Sequence, residues 1–576
     1  MLAQTFKAPL FGIAAALSLA GCATAPAAPV ETAAAPQAMR GAVSAADPRA
    51  QEAGYEMLRR GGTATDAAIA VMLALTVVEP QSSGIGGGGF MVLGDADGTV
   101  TTYDGRETAP AGATPDWFLD KGGQVPPFRD SVRSGLSVGV PGNLALAAKA
   151  HAEHGKLLWA ELFEPAIALA RDGFRVNPRL NKSLSDSADT GARSDQGKAL
   201  YYDAAGAPVA IGSTLTNPAL ARTLEKIAQA GPDAFYEGDL AERIARTVAD
   251  DTPRSGAMTV RDIEGYVAKE RAPLCTRYRA YRICAMGPPT SGGVAVMQIL
   301  GQLERFDLVA LGPHNPVTWH LFLESQRLAY ADRELYLADS DFVPVPTAGL
   351  VAPDYLARRG ALILPGSTLA EVTPGTPEGA DRALADGDEP EERGTSHIAV
   401  VDDAGTMISY TSTIESAFGS GLMVDGFYLN NELTDFSRSP AVDGKPVANR
   451  VEGGKRPRSS MAPVVVYDPQ GQPFMAVGAA GGSTIPVQTA RSIIGVIDFG
   501  LDPKDALGLP FVMAFGDSVL LEESTWLADS QDAFRSLGHG TLTIRPAPVK
   551  AGIVVREGDR WVSARDPRLE GQLELP

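Results

Sequence analysis

Apolar positions near the start of the chain fall into two helical blocks followed by two short alternating ones. Asp47-Pro48 sets an N-cap before a proline at the first helical position, and Gly61-Gly62 closes that helix. A second, almost wholly apolar helix is expected from about Asp66 to Val78, stopping before Pro80. The glycine run Gly84 to Gly89 comes next, then strands over Phe90–Gly94 and Thr99–Tyr103 around an Asp-Gly turn. Residues 143–340 read mainly as helices, Ala160–Arg171, Pro218–Ala230 and Val317–Tyr336 among them, with one hairpin inserted. Alternation takes over at Thr395: strands are expected over 395–401, 406–413, 461–467 and 474–478, then a helix over Thr484–Phe499. Helix-rich and strand-rich blocks in succession predict an α+β fold, packed sheets with helices outside.

The junction at 394–395 carries the most chemistry. Residues 365–393 are rich in Pro, Gly and Thr, and carry eight acids against two arginines from Glu371 onward, the composition of an exposed leash. Gly394-Thr395 then opens a strand. Threonine is a weak nucleophile unless a base adjoins it. A newly exposed N-terminal amine, with a reference pKa of about 7.7–8.0, is a base tethered to the same residue. Cleavage between Gly394 and Thr395 would therefore create nucleophile and base together, as in a self-processing N-terminal nucleophile hydrolase. A Gly-Thr pair is more often an ordinary turn, so the rest of the chain has to decide.

Composition narrows the choices. With 44% hydrophobic residues, 21% charged residues and a net charge of −19, the chain suits a globular protein acting on small molecules and disfavours nucleic acid. Lys7 and the apolar run Pro9 to Ala20 form a signal-type segment too short to span a bilayer. It ends in Leu19-Ala20-Gly21-Cys22, which resembles a bacterial lipoprotein signal (residues 1–21) with Cys22 as the lipidated residue; a signal ending in a chance cysteine is the alternative. Residues 22–38 then form a flexible tether. Export, a lipid anchor and the periplasmic face of the outer membrane are the expected location. The remaining cysteines, Cys275 and Cys284, flank Tyr278-Arg279-Ala280-Tyr281. A two-residue turn there pairs 275 with 284 at a non-hydrogen-bonded site, and a disulfide is expected in an oxidising compartment.

Two motifs mislead. Gly84 to Gly89 satisfies the dinucleotide pattern G-x-G-x-x-G, but helix precedes it and strand follows, the reverse of what pyrophosphate binding needs. Gly135 to Gly139 satisfies G-x-S-x-G, yet Pro141-Gly142 intervenes before a helix can begin at Ser137. His151 and His154 lack a third ligand, and no metal is expected. Downstream of Thr395 several polar groups fit one site. Thr413 could bond the Thr395 hydroxyl, and Gly481-Gly482 opens a helix where amides can meet an oxyanion. Glu432 and Asp435 suit an ammonium, whereas Ser459-Ser460 and Arg106 suit a carboxylate.

These residues lie in a series of ordered motifs: GGTATDAAIAV at 61–71, GIGGGGFMVL at 84–93, DGRETAP at 104–110 and GPDAFYEGD at 231–239. GPPTSGG at 287–293, GTSH at 394–397, LNNELTDFS at 429–437, KRPRSSMAP at 455–463, GAAGGST at 478–484 and DPR at 566–568 continue it. Over roughly residues 39–570 the chain resembles bacterial γ-glutamyltransferases (γ-glutamyltranspeptidases). The resemblance implies the αββα four-layer sandwich of N-terminal nucleophile hydrolases, cut into a large chain (39–394 after leader and tether) and a small one (395–576) that form a heterodimer. It makes Thr395 nucleophile and base with Thr413 as its orienting partner, and Gly481 and Gly482 the oxyanion hole. Arg106, Ser459 and Ser460 would hold the substrate α-carboxylate, Glu432 and Asp435 its α-ammonium. The implied substrates are γ-glutamyl amides such as glutathione, with water or amines as acceptors and no cofactor. An acylase on β-lactam side chains, or a poly-γ-glutamate hydrolase of the same fold, is the alternative.

The chain departs from the family in two places. Glu415 stands where members often carry Asn; it can accept from an ammonium but, ionised, cannot donate to a carboxylate. Three acids (415, 432, 435) at one site favour an amino-bearing acyl group over glutaryl, unless mutual repulsion keeps one of them protonated. Residues 437–454 contain no aromatic, where some members have an aromatic-tipped lid, and a more open site tolerant of bulky donors is expected.

Overall fold

Two six-stranded antiparallel sheets lie face to face. The first contains β1 (Ala42–Ala45), β2 (Gly88–Gly94), β3 (Val100–Gly105), β4 (Lys269–Arg271), β7 (Gly394–Val401) and β8 (Met407–Glu415), in the order β1-β7-β8-β2-β3-β4. The second contains β5 (Leu274–Tyr278), β6 (Tyr281–Ala285), β9 (Val464–Tyr467), β10 (Pro473–Ala480), β11 (Lys550–Glu557) and β12 (Arg560–Arg565), in the order β12-β11-β10-β9-β6-β5. The structure, a computed structural model, describes residues 41–251, 254–381, 384–385, 394–548 and 550–575. The leader, Cys22 and the tether lie outside the described residues, as do residues 386–393. No helix among the described residues is long and apolar enough to cross a membrane.

Side-chain alternation builds the layers. In β7, Ile398 and Val400 join the core formed with α1 (Pro48–Arg59) and α2 (Ala64–Val78), while Ala399 and Val401 point into the core shared with the second sheet. In β2, Met91 and Leu93 face the first core, Phe90 and Val92 the second. The second core continues to the helices on the far side, through Ile299 of α3 (Gly292–Leu303), Trp319 of α4 (Pro316–Tyr336) and Ile493 of α5 (Ile485–Ile497). Helix, sheet, sheet, helix is the αββα sandwich expected.

Local signals explain where elements begin. Asp47 caps α1 by accepting from the Arg49 amide, and Thr63 with Asp66 forms a reciprocal capping box on α2. One expected helix, Ala160–Arg171, splits into a 3-10 turn at Trp159–Phe163 and a helix from Glu164, because Pro165 has no amide hydrogen to continue the ladder. The strand expected over 461–467 begins only at Val464, after Pro463. Cys275 and Cys284 are register partners joined by a disulfide, and Arg279 and Ala280 turn the hairpin with φ of 51° and 79°.

Candidate active site

The register between β7 and β8 breaks at the junction. Ser412 faces Ser396 and Glu415 faces Gly394, so Thr413 and Ile414 together oppose Thr395. This is a β-bulge, which re-aims side chains at a strand end. It swings the Thr413 hydroxyl onto the Gly394 carbonyl at 2.7 Å, and the Glu415 amide donates to Thr413 Oγ1 at 2.8 Å. With that lone pair engaged, the Thr413 proton is directed at Gly394 O. The Thr395 hydroxyl lies against the same carbonyl and 3.3 Å from Thr413 Oγ1. Glu415 closes the bulge with φ of 73°, a strained value for a residue with a side chain. A Cβ on Gly394 would come 2.3 Å from Glu415 O, so glycine is required before Thr395.

The glycine run 84–89 clamps this bulge. A Cβ on Gly87 would lie 1.9 Å from Thr413 O, and one on Gly86 2.0 Å from Tyr428 O. Asn143 fixes the run to β8, donating to Gly84 O and Ser412 Oγ and accepting from Tyr410. The glycines therefore admit backbone rather than phosphate. Ser137 donates to Val132 O and Ser134 O, a turn-stabilising role. His151 binds Leu157 O at the end of its helix.

Arg106 is the centre of the second half of the site. Its Nε donates to Pro457 O at 3.2 Å and Nη2 to Arg458 O at 3.0 Å, which places it on the segment carrying Ser459 and Ser460. Its guanidinium also pairs with both Glu432 and Asp435. The expected carboxylate clamp and the expected ammonium clamp are thus salt-bridged to each other. Ser459 Oγ accepts from the Met461 amide and Ser460 Oγ from Arg333 Nη2, so each hydroxyl keeps its own proton to give. Asn431 donates to Glu415 from Nδ2 and from its backbone to Ile414 O, tying the acids to the bulge.

Gly481 and Gly482 follow β10 with φ of 120° and 59°, a turn that only glycine takes without strain. The last residue of β10, Ala480, pairs with Lys550, whose Nζ donates to Thr395 O at 3.2 Å and Ser82 Oγ at 3.3 Å. The strand that leads into the glycine turn is thereby linked, through Lys550, to Thr395. The disulfide Cys275–Cys284 lies on the far edge of the second sheet, in its outermost pair of strands. Thr395 is 3% exposed, and Arg106, Glu415 and Glu432 1% each. The Gly394 carbonyl lies directly before the Thr395 hydroxyl.

Sequence reasoning missed three groups. Glu107, beside Arg106, is fully buried with neither oxygen hydrogen-bonded, 3.9 Å from Arg106 Nη1. Burial pushes its carboxyl up to about 8 against the pull of Arg106. Burial and then Asp435 push Glu415 to about 8, and burial raises Glu432 well above the carboxylate range. Lys550 is brought down to about 7 by burial and by Arg179, against the pull of Glu79. His397 offers no base despite its position: burial lowers it to about 3, and Nδ1 is engaged with Thr411. His320, Glu324 and His539 come within 4.8 Å of one another, the third group the sequence did not suggest. Each is already engaged, His320 with His539 and Leu364 O, Glu324 with Arg327 and the Leu369 amide.

A model of the family described as Gamma-glutamyltranspeptidase matches residues 50–575. The glutathione hydrolase proenzyme of Bacillus subtilis (strain 168) is 37% identical over 542 residues, 92% of this chain and 90% of that protein. The protein of the same name from Escherichia coli (strain K12) is 37% identical over 484 residues, 82% and 81%. Among solved structures, cephalosporin acylase from Bacillus halodurans superposes with a TM-score of 0.78 at 25% identity, covering 92% of this chain and 94% of the other. Helicobacter pylori gamma-glutamyltranspeptidase gives 0.56 at 35% identity, covering 58% and 96%. With its matched length and its motif order in agreement, the chain belongs to the gamma-glutamyltranspeptidase family.

Proposed function

We propose that this protein is a self-processing γ-glutamyl hydrolase/transferase working through Thr395. The observation that carries the reading is the bulge, where the Thr395 hydroxyl and the Thr413 donor converge on the Gly394 carbonyl. Attack by Thr395 Oγ1 on that carbonyl, with Thr413 polarising its oxygen, moves the acyl group from nitrogen to oxygen. The amide C–N bond breaks, and the nitrogen keeps its proton and gains the hydroxyl's. Water then cleaves the ester, giving chains ending at Gly394 and beginning at Thr395, residues 39–394 and 395–576 once leader and tether are set aside. The new amine takes the hydroxyl proton in each later cycle.

In the mature site, a γ-glutamyl amide such as glutathione would place its α-carboxylate on Arg106, Ser459 and Ser460, and its α-ammonium against Glu432, Asp435 and Glu415. Its γ-carbonyl would lie before Thr395, with Gly481 and Gly482 stabilising the oxyanion. Hydroxyl attack expels the amine and leaves an acyl-enzyme, which water or an amino acid amine resolves. The acylase alternative has the sandwich in its favour, since a cephalosporin acylase shares it. The buried acids count against a glutaryl group, which brings no cation to them. The non-aromatic 437–454 segment, whose hairpin Ala441–Val442/Lys445–Pro446 is exposed, supports tolerance of γ-glutamyl oligomers. Leu19 to Cys22 supports a lipoprotein form, removed from its leader at 1–21, acylated at Cys22, and held by the 22–38 tether at the periplasmic face of the outer membrane; Ala rather than Asp at position 23 favours that sorting.

Denaturing intact mass of the wild type beside Thr395→Ala tests the core of this reading. Two chains in the wild type, broken before Thr395, and one in the variant are expected, with γ-glutamyl amide turnover by the wild type alone. A single folded, unbroken wild-type chain overturns it.

A further inference from the structure

Four carboxyl groups, those of Glu107, Glu415, Glu432 and Asp435, are buried around one guanidinium, that of Arg106. Both oxygens of Glu107, Oε1 of Glu415 and Oε2 of Glu432 have no hydrogen-bond donor. The other charged groups nearby are committed elsewhere. Arg333 and Arg458, beyond Ser459 and Ser460, pair with Glu334, and Arg456 pairs with Asp104. Tyr236, Tyr266 and Tyr410 face Glu107 and are kept neutral by burial. One cation cannot balance four ionised acids in a space closed to water, and mutual repulsion gives the same result as burial.

Resting on the γ-glutamyl reading of the site, we propose that the substrate α-ammonium enters by exchange for a proton held among Glu107, Glu415 and Glu432, and that Glu415 is the main site of that exchange. The ammonium arrives with its charge, the carboxyl proton passes to bulk buffer, and the net charge of the pocket is unchanged. Burial and neighbouring acids already hold both Glu107 and Glu415 near 8, so a proton is present to be displaced around neutrality. Glu415 stands closest to the chemistry: its amide fixes Thr413, and its backbone oxygen lies against Gly394. An Asn at this position would bring no exchangeable proton. Selectivity for amino-bearing acyl groups therefore becomes a function of pH, weak in acid and full once the carboxyl has been relieved of its proton.

Competitive inhibition of the mature wild-type enzyme by L-glutamate and by glutarate, which differ only in the amine, tests this. Protonation of the Thr395 amine affects both inhibitors alike, so the ratio Ki(glutarate)/Ki(L-glutamate) isolates the ammonium. The ratio is expected to rise with pH between about 6 and 8, approaching tenfold per pH unit for one proton exchanged, and then to level off. Glu415→Gln should remove most of that rise, Glu107→Gln part of it, and Glu415→Asp should keep it. A ratio constant within about twofold across this range, in an enzyme that turns over γ-glutamyl amides, overturns the exchange and leaves the proposed function standing. A rise unchanged in both glutamine variants overturns the assignment to these residues. Should Glu415→Gln fail to mature, the wild-type profile and Glu107→Gln still decide. A folded wild type inactive on γ-glutamyl amides overturns both readings.

Discussion

Thr413→Val is the sharpest perturbation of the proposed maturation site, because valine keeps the shape and deletes only the oxygen. That oxygen gives one hydrogen bond, to Gly394 O at 2.7 Å, and receives from the Glu415 amide at 2.8 Å and, more distantly, from the Thr395 hydroxyl at 3.3 Å. Loss of the acceptor leaves a buried amide unsatisfied, at about 1–3 kcal/mol of stability. Loss of the donor acts on the barrier. As Thr395 attacks, Gly394 O becomes an oxyanion, and removing one such donor costs about 2.7–4 kcal/mol elsewhere, roughly 10²–10³ in rate. Thr413→Val should therefore fold with a lowered melting temperature and self-cleave at least a hundredfold more slowly (order of magnitude). Thr413→Ser, which keeps the oxygen, should stay within about tenfold of the wild type. The assay is the time course of two-chain product by intact mass from freshly purified uncleaved protein, alongside thermal unfolding. A valine variant that matures within about threefold of the wild type would refute the role given to Thr413, since even the weakest donor effect exceeds that range.

Other consequences are equally direct. Gly87→Ala puts a Cβ 1.9 Å from Thr413 O, in the backbone of the bulge itself, and should abolish maturation; two-chain product at the wild-type rate would show that the loop does not set the bulge. Lys550→Met removes the donor to Thr395 O and should lower kcat by about tenfold to a hundredfold with KM little changed, as expected when a nucleophile is held slightly out of place. Steady-state kinetics check this, and a change confined to KM would count against it. Glu415 has a folded-state pKa raised to about 8, so its proton stabilises the fold below the ordinary carboxylate range, and that stability is lost as pH rises from about 4.5 through about 8. Melting temperatures of uncleaved Thr395→Ala protein should fall across this interval, and the fall should be smaller when Glu415→Gln is added; equal slopes would show that Glu415 is ionised throughout.

Much of the fold was legible because local rules and tertiary packing agree along the strands. Ile398 and Val400 against Ala399 and Val401 is a period-two pattern with apolar residues on both faces, which a strand shows when a layer covers each side. The Asp47 and Thr63 caps and the cysteine-paired hairpin are signals confined to a few neighbouring residues. What stayed hidden is non-local. Nothing near Ala42 announces that β1 will pair with Val401 at the far side of the proposed cleavage point, or that β2, besides pairing with its neighbour β3, will take β8 on its other edge. The pairing is nonetheless what makes the site, since the glycine run at the start of β2 is thereby pressed onto Thr413.

The site divides in the same way. Thr395 stood out as a candidate because the chemistry proposed for it needs only a glycine, a strand start and an amine made by cleavage. Arg106, Glu432 and Asp435 were visible as residue types suited to a zwitterion, but their mutual salt bridges were not, because charge balance belongs to a volume and not to a motif. Glu107 shows the difference. In the sequence it is an acid next to an arginine, the commonest surface arrangement of charge. In the structure, Gly88 leaves so little room that a Cβ there would lie 2.4 Å from the Glu107 carboxylate, which is shut in beside the guanidinium with no donor of its own. A carboxyl in that position cannot be a solvated counter-ion to Arg106. It must be neutral or await a second cation, and the α-ammonium proposed above would satisfy the second condition only while substrate is bound.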